Sequence, residues 1–114
     1  MQHDGLRMQR LQALPKAEIH VHLEGCFEAE LLTQWASKFG VTLPRPRESL
    51  FRFEGLADFL HFLDWACGLV RTPEELAEAA YAFSRRLAAS GTGYADLIFN
   101  PTHWKPWHGR LREM

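Results

Sequence analysis

The sequence is poor in cysteine and contains no long apolar run. Its two cysteines, Cys26 and Cys67, lie far apart and form no C-x-x-C pair, which excludes a disulfide framework and is typical of free thiols in a reducing compartment. No segment approaches the ~18 consecutive apolar residues of a membrane span, and residues 1–14 lack the apolar stretch of a signal peptide. We therefore expect a cytoplasmic protein with no membrane partner.

An excess of charge of either sign is also lacking. The formal net charge is −1, with 13 Lys and Arg residues against 14 Asp and Glu residues. Nothing therefore indicates a nucleic-acid partner, which would require a basic surface, or a cationic partner, which would require an acidic one. The charge balance therefore indicates either a small neutral ligand or no particular partner. The chain is 46% hydrophobic and has no repeat or low-complexity tract, so we expect an ordered part of one domain.

The first clear element is a strand after Pro15. From residue 17 to residue 23 apolar and polar side chains alternate strictly, which is the pattern of a strand with one polar face. The polar side chains on that face are Glu18, His20, His22 and Glu24. Residues 1–14 are expected to form a short helix or an arm.

Helical spacing follows this strand. Residues 28–39 place their apolar side chains on one helical stripe, and Gly40 follows where a left-handed C-terminal cap belongs. A second helix is expected over residues 56–70, after a connection that two prolines keep irregular.

A third helix has the clearest start signal in the chain. Thr72 can cap the free amides, Pro73 suits the first turn, and Glu75 completes a capping box. Glycines end this helix, and a second strand is predicted over residues 94–99. Residues 107–114 read as the opening of a further helix.

The order of strand, three helices and strand indicates an α/β fold with parallel strands and an enlarged helical crossover. Two parallel strands leave sheet edges and faces to be covered, and the sequence supplies helices for one side only. We therefore interpret residues 1–114 as an N-terminal fragment of a single domain. Further C-terminal strands or an oligomeric partner would complete its sheet.

His20 and His22 are the strongest candidates for chemistry. Residues i and i+2 of a strand point to the same side, so the two imidazoles share a face, with Cα atoms about 7 Å apart. Imidazole is the commonest zinc ligand, and a catalytic zinc needs further protein ligands and an open position for water. The alternative is a pair of solvated histidines. Polar residues at the carboxyl end of a strand, where α/β barrels build active sites, favour the metal.

A twelve-residue segment around these histidines closely resembles the first-strand signature of the adenosine deaminase family. It reads LPKAEIHVHLEG from Leu14 to Gly25 and has both ligand histidines in place. Residues 93–101 are similar to the family's second strand, although Asp96 and Ile98 stand where the family usually has Glu and Arg. These departures leave the strand assignment intact but put in doubt the polar network that the family builds there.

The resemblance implies that the chain is the N-terminal part of a (β/α)8 TIM barrel. Such enzymes hydrolyse the exocyclic amine from a purine, with adenosine expected first here and adenine or a modified nucleoside next. The resemblance implies one Zn²⁺ held by His20, His22 and ligands from later strands. A barrel of this kind needs ~200 to 250 residues, and the family's general acid belongs to later strands, so this chain alone is not expected to catalyse.

The resemblance also implies a substrate site. Glu24, with Gly25 beside it, is expected to contact the substrate, and the alternative is a solvated acid at the strand end. His103, just past the second strand, is a candidate for lining the pocket, with a plain loop histidine as the alternative. The family has a hydrophobic helix that covers the purine pocket, and the residues that match it here are Leu56, Phe59, Leu60 and Leu63. The alternative for this group is an ordinary helix core.

Two other functions remain open on the sequence. Other metal hydrolases of the amidohydrolase type, which act on ring amides or esters, also begin with His-x-His on a first strand. The chain is alternatively a truncated relative without catalysis, acting as a binding or structural module whose sheet edges demand pairing.

Overall fold

A computed structural model of the chain describes residues 2–114. In this part the longer elements are α1 (Gln2–Ala13), β1 (Lys16–His22), α2 (Ala29–Phe39), α3 (Leu56–Cys67), α4 (Pro73–Ala89) and β2 (Thr92–Ile98). Single turns of 3-10 helix follow the strands, at Leu23–Gly25 after β1 and at Pro101–His103 after β2. The predicted order of strand, three helices and strand is confirmed, and the N-terminal segment is a helix.

The two strands pair in parallel, so their carboxyl ends lie side by side. His22, the last residue of β1, is opposite Ile98, the last residue of β2. The three helices between the strands form the crossover that a parallel connection requires. The turns Leu23–Gly25 and Pro101–His103 therefore start from the same edge of the sheet.

The strict alternation predicted for β1 is wrong near its carboxyl end. The register shifts between residues 18 and 21, and His20 takes a left-handed conformation with φ of 58°. Such an irregularity re-aims the side chains that follow it. Ile19, expected on an apolar face, is 74% exposed, and Leu23 belongs to the turn after the strand.

The hydrophobic core lies among the helices. Leu32 of α2, Ala66 of α3 and Val70 have no exposed surface, and neither do Trp104 and Trp107 of the C-terminal segment. Large aromatic side chains dominate the energetics of such a core. Most residues of both strands, in contrast, are exposed or half-buried.

The helix termini follow the sequence signals. Gly40 has φ of 65° and ends α2 with a left-handed cap, as predicted. The capping box at the start of α4 is also confirmed, because the Glu75 N–H donates to Thr72 Oγ1 and Glu75 Oε2 accepts from the Thr72 N–H, both at 3.2 Å. Residues 68–70, predicted as helix, lie beyond the end of α3.

The helix expected at 107–114 is wrong, because the segment forms short 3-10 turns at Lys105–Trp107 and Leu111–Glu113. Gly109, with φ of 88°, separates these turns. Trp107 fixes the segment, since its indole Nε1 donates to the Val70 carbonyl at 2.8 Å. No helix within residues 2–114 is long and apolar enough to cross a membrane.

Candidate metal and substrate site

The carboxyl ends of β1 and β2 gather the residues that the sequence singles out. His20, His22 and Glu24 come from β1 and the turn after it, and His103 comes from the turn after β2. Helix α3 packs against both turns. Parallel α/β proteins commonly build their sites at this end of the sheet.

The imidazoles of His20 and His22 are neighbours. Their ring centroids are 5.3 Å apart with the rings edge to face, and the His22 side chain is 49% exposed. The backbone of His20 lies in the left-handed region, which residues other than glycine rarely adopt. Such strain is often found at functional sites. Two adjacent, accessible imidazoles can supply two nitrogen ligands to one metal ion.

Glu24 is buried behind this pair. Its side chain is 1% exposed, so it is not a solvated acid at the strand end. The backbone N–H of Asn100, just after β2, donates to Glu24 Oε1. The other oxygen, Oε2, has no hydrogen-bond partner among the described residues and lies 3.8 Å from Nδ1 of His22. Asn100 is a contributor that the sequence did not reveal, because the contact spans 76 positions.

These donors fit part of a metal site. Two imidazoles and an unpartnered carboxylate oxygen behind them match the way metal-binding histidines are commonly held. Within residues 2–114, no group of three His, Cys, Asp or Glu side chains is arranged to hold a metal ion. His20 and His22 would therefore be two ligands of such a site, and the source of further ligands stays a prediction.

The nearby cysteines are poor ligands. Burial raises the pKa of Cys26 to about 11, with Arg86 opposing the rise and Glu24 adding to it. Burial also raises the pKa of Cys67, and Glu24 again contributes. Since the thiolate is the form that binds metals, the raised pKa values disfavour both thiols as metal ligands at neutral pH. Cys26 Sγ is used in a hydrogen bond to the His22 carbonyl at 3.1 Å.

The hydrophobic side chains proposed to cover a substrate divide into two sets. Leu56 and Leu60 are 72% and 38% exposed, whereas Leu63 is 7% exposed and belongs to the core. Phe59 is half-buried and packs edge to face on Phe53, with ring centroids 5.1 Å apart. Leu56 and Leu60 therefore have free surface for a ligand. Leu63 is instead a residue of the helix core, which was the alternative for this group.

The two remaining candidates differ in their surroundings. Gly25 is exposed in the turn after β1, and open space surrounds the position of its absent Cβ. The His103 side chain is 13% exposed, and its Nδ1 is 2.8 Å from Asp64 Oδ1 of α3. Lys105 Nζ lies 3.2 Å from the other oxygen of Asp64. Asp64 was not singled out in the sequence, because it lies 39 positions from His103.

Comparison with known proteins gives one consistent family. The profile described as adenosine deaminase matches residues 15–108. The chain is 37% identical to an adenine deaminase of Caulobacter vibrioides over 98 residues, which is 82% of the chain and 28% of that relative. It is 37% identical to an adenine deaminase of Bordetella avium over 98 residues, which is 82% of the chain and 31% of the relative. The chain thus spans less than a third of the length of these relatives.

A solved structure agrees with the sequence relatives. The chain is similar to the crystal structure of an adenine deaminase from Arthrobacter aurescens, with a TM-score of 0.71 and 27% sequence identity. The match covers 85% of this chain and 31% of that protein.

Proposed function

The chain belongs to the adenosine deaminase family, and from this premise we propose that its protein is a zinc-dependent hydrolase that removes the exocyclic amine of a 6-aminopurine as ammonia. The observation that carries the proposal is the adjacent pair His20 and His22, with the buried Glu24 behind it, where β1 and β2 end. Family membership favours a deaminase over the other metal hydrolases that share the His-x-His pattern.

Each residue has a part that follows from its position. His20 and His22 would hold the metal, which, when bound, supplies Lewis acidity that activates water as a nucleophile at neutral pH. The buried carboxylate of Glu24 lies beside His22, with Oε2 3.8 Å from His22 Nδ1, and we propose that this carboxylate also contacts the substrate. Leu56 and Leu60, exposed on α3, would exclude water from one face of the purine. The general acid is assigned to later strands.

Adenine is the substrate that the relatives favour. The sequence relatives given above and the solved structure are adenine deaminases, whereas the resemblance of the sequence alone placed adenosine first. The family resemblance implies that adenosine-selective members commonly carry Asp at the position of Glu24. We propose that the additional methylene of Glu24 places its carboxylate in the space that a ribose would occupy. We expect Glu24→Asp to change the adenine-to-adenosine ratio of kcat/KM, and an unchanged ratio would remove this explanation of selectivity.

We further propose that residues 1–114 contribute the first two strands of a (β/α)8 barrel. The support is the parallel pair β1 and β2 with its helical crossover, and the similarity to a protein of which the match covers 31%. Further strands, or an oligomeric partner, would pair with the exposed sheet. A cytoplasmic location stays a prediction.

The test uses the protein at its natural length, stripped of metal and reloaded with Zn²⁺. We expect zinc to restore ammonia release from adenine, and His20→Ala or His22→Ala to lower kcat/KM by at least ~100-fold, since the loss of a ligand exceeds the effect of disturbing its support. His3→Ala, an exposed histidine of α1, is the matched control and should leave the rate unchanged.

Two outcomes would contradict the proposal. A zinc-loaded protein that releases no ammonia from adenine or adenosine would favour the non-catalytic module, provided that it is folded. Hydrolysis of a cyclic amide or ester in place of deamination would favour the other class of metal hydrolase.

A further inference from the structure

Glu24 is a buried carboxylate that its own surroundings satisfy only in part. The Asn100 N–H holds Oε1, while Oε2 has no hydrogen-bond partner in the described part of the chain. An unpartnered buried acceptor destabilises a protein, so its retention calls for an explanation. The Cys26 thiol does not donate a hydrogen bond to Oε2, because its proton is donated to the His22 carbonyl.

His22 has the group that this oxygen lacks. Its Nδ1 is 3.8 Å from Glu24 Oε2, which is longer than a hydrogen bond, and the His22 side chain is 49% exposed rather than enclosed by the core. The carboxylate is anchored from β2 through Asn100. A shift of Nδ1 by less than ~1 Å would bring its N–H within hydrogen-bond distance of Oε2.

We propose that Glu24 is a positioning residue for His22: Oε2 accepts the Nδ1 proton, which leaves Nε2 with the lone pair that faces the metal. Which nitrogen of a histidine binds a metal is set by the hydrogen bond that the other nitrogen makes. The contact also connects the ends of the two strands, since Asn100 follows β2 and His22 ends β1. The metal part of this inference rests on the proposed function, whereas the state of the His22 ring does not.

Glu24→Gln gives a specific test. The Asn100 N–H continues to require an acceptor, so the glutamine oxygen stays on that side and its NH₂ group is turned toward His22. Nδ1 must then accept, and the proton moves to Nε2, where it blocks the metal lone pair. We expect the zinc dissociation constant of the natural-length protein to rise by about 10- to 100-fold. Glu18→Gln, which changes an exposed carboxyl of the same strand, should change it less than twofold.

Imidazole nitrogen chemical shifts of the metal-free protein, labelled with [¹⁵N]histidine and assigned with His22→Ala, provide a readout that does not depend on activity. In the wild type at a pH where His22 is neutral, Nδ1 should carry the proton, and in Glu24→Gln the proton should be on Nε2. A wild-type ring protonated on Nε2 would overturn the proposal even if Glu24→Gln did not fold. The proposal would also be overturned if Glu24→Gln raised KM while the zinc affinity and the protonated nitrogen of His22 stayed unchanged. Glu24 would then act only on the substrate.

Failure of the proposed function gives a different result. If the wild-type protein binds zinc and shows the Nδ1–H ring but releases no ammonia from purines, the deaminase assignment fails. The role of Glu24 toward His22 then stands.

Discussion

His103 on the turn after β2 is joined to Asp64 on α3, with Nδ1 of the histidine 2.8 Å from Oδ1 of the carboxylate. Lys105 approaches the second oxygen of Asp64 at 3.2 Å. The hydrogen bond from His103, with a further contribution from Lys105, lowers the pKa of Asp64 below its ordinary value of 3.8. The cluster links the segment that follows β2 to the helix that carries Leu56 and Leu60, so it holds two sides of the candidate site together.

Asp64→Asn should therefore destabilise the protein in a pH-dependent manner. A carboxyl whose pKa is lowered by folding stabilises the folded state above its ordinary pKa, and this stabilisation is lost as the pH falls through the lowered value. We expect a loss of about 1 kcal/mol near neutral pH, and a difference from wild type that shrinks below pH 3.8. Urea unfolding at several pH values measures it, with exposed Glu78→Gln on α4 as control. A difference that is the same at all pH values would contradict this account.

The backbone of His20 leads to a prediction about stability rather than activity. With φ of 58°, His20 lies in the left-handed region, which costs a non-glycine residue roughly 1–2 kcal/mol. His22 has φ of −82°, and glycine in such an extended position lowers stability by roughly 0.5–1 kcal/mol. Both glycine variants remove one ligand and both carry this cost of glycine in a strand, which cancels in the comparison. In the metal-free protein His20→Gly should therefore be more stable than His22→Gly by the relieved ~1–2 kcal/mol. Equal unfolding midpoints would show that His20 is not strained.

Gly91 connects α4 to β2 against the end of α1, and we expect it to tolerate no side chain. Its φ is 80°, and a Cβ there would collide with the carbonyl oxygen of Gln12, a backbone atom that cannot rotate away. Gly91→Ala should lower the free energy of unfolding by at least ~2 kcal/mol. Gly93→Ala is the matched control, because open space surrounds the position of its absent Cβ, and thermal unfolding of the two variants compares them. Similar midpoints would contradict the collision.

The features that the sequence predicted are those that neighbouring residues determine. The capping box of Thr72 and Glu75 acts across three positions, and the cap at Gly40 requires one glycine after an amphipathic helix. Helix order and the parallel strand pair followed from these local signals. The adjacency of His20 and His22 also followed, although a left-handed residue takes the place of regular alternation.

The features that could not be predicted from the sequence depend on contacts between residues that are far apart along the chain. The residues around Glu24 in the sequence do not indicate that Glu24 accepts a hydrogen bond from the distant Asn100 N–H. The residues around Asp64 likewise do not indicate that Asp64 pairs with His103. The C-terminal segment reads as a helix start, but the hydrogen bond from the buried Trp107 indole to the Val70 carbonyl fixes a different conformation. Tertiary packing overrides local preference in such cases.

The exposed part of α3 gives a prediction that separates substrate contact from folding. Leu60 is 38% exposed and Leu63 is 7% exposed, so of these two leucines Leu60 is the one with surface for contact with a purine. Leu60→Gln keeps the length and helix preference of the side chain while removing its apolar character. We expect kcat/KM for adenine to fall ~10-fold, equivalent to about 1.4 kcal/mol of lost apolar contact, with little change in unfolding midpoint.

Two glutamine variants complete this comparison. Leu63→Gln should destabilise the fold itself, since it places an amide in the core, and Leu11→Gln, at a leucine of α1 that is 47% exposed, should change neither property. If Leu60→Gln left kcat/KM at the wild-type value, α3 would not cover the substrate. Its exposed leucines would then be surface for packing against other parts of the protein, because an apolar face without a ligand still gains free energy by leaving water.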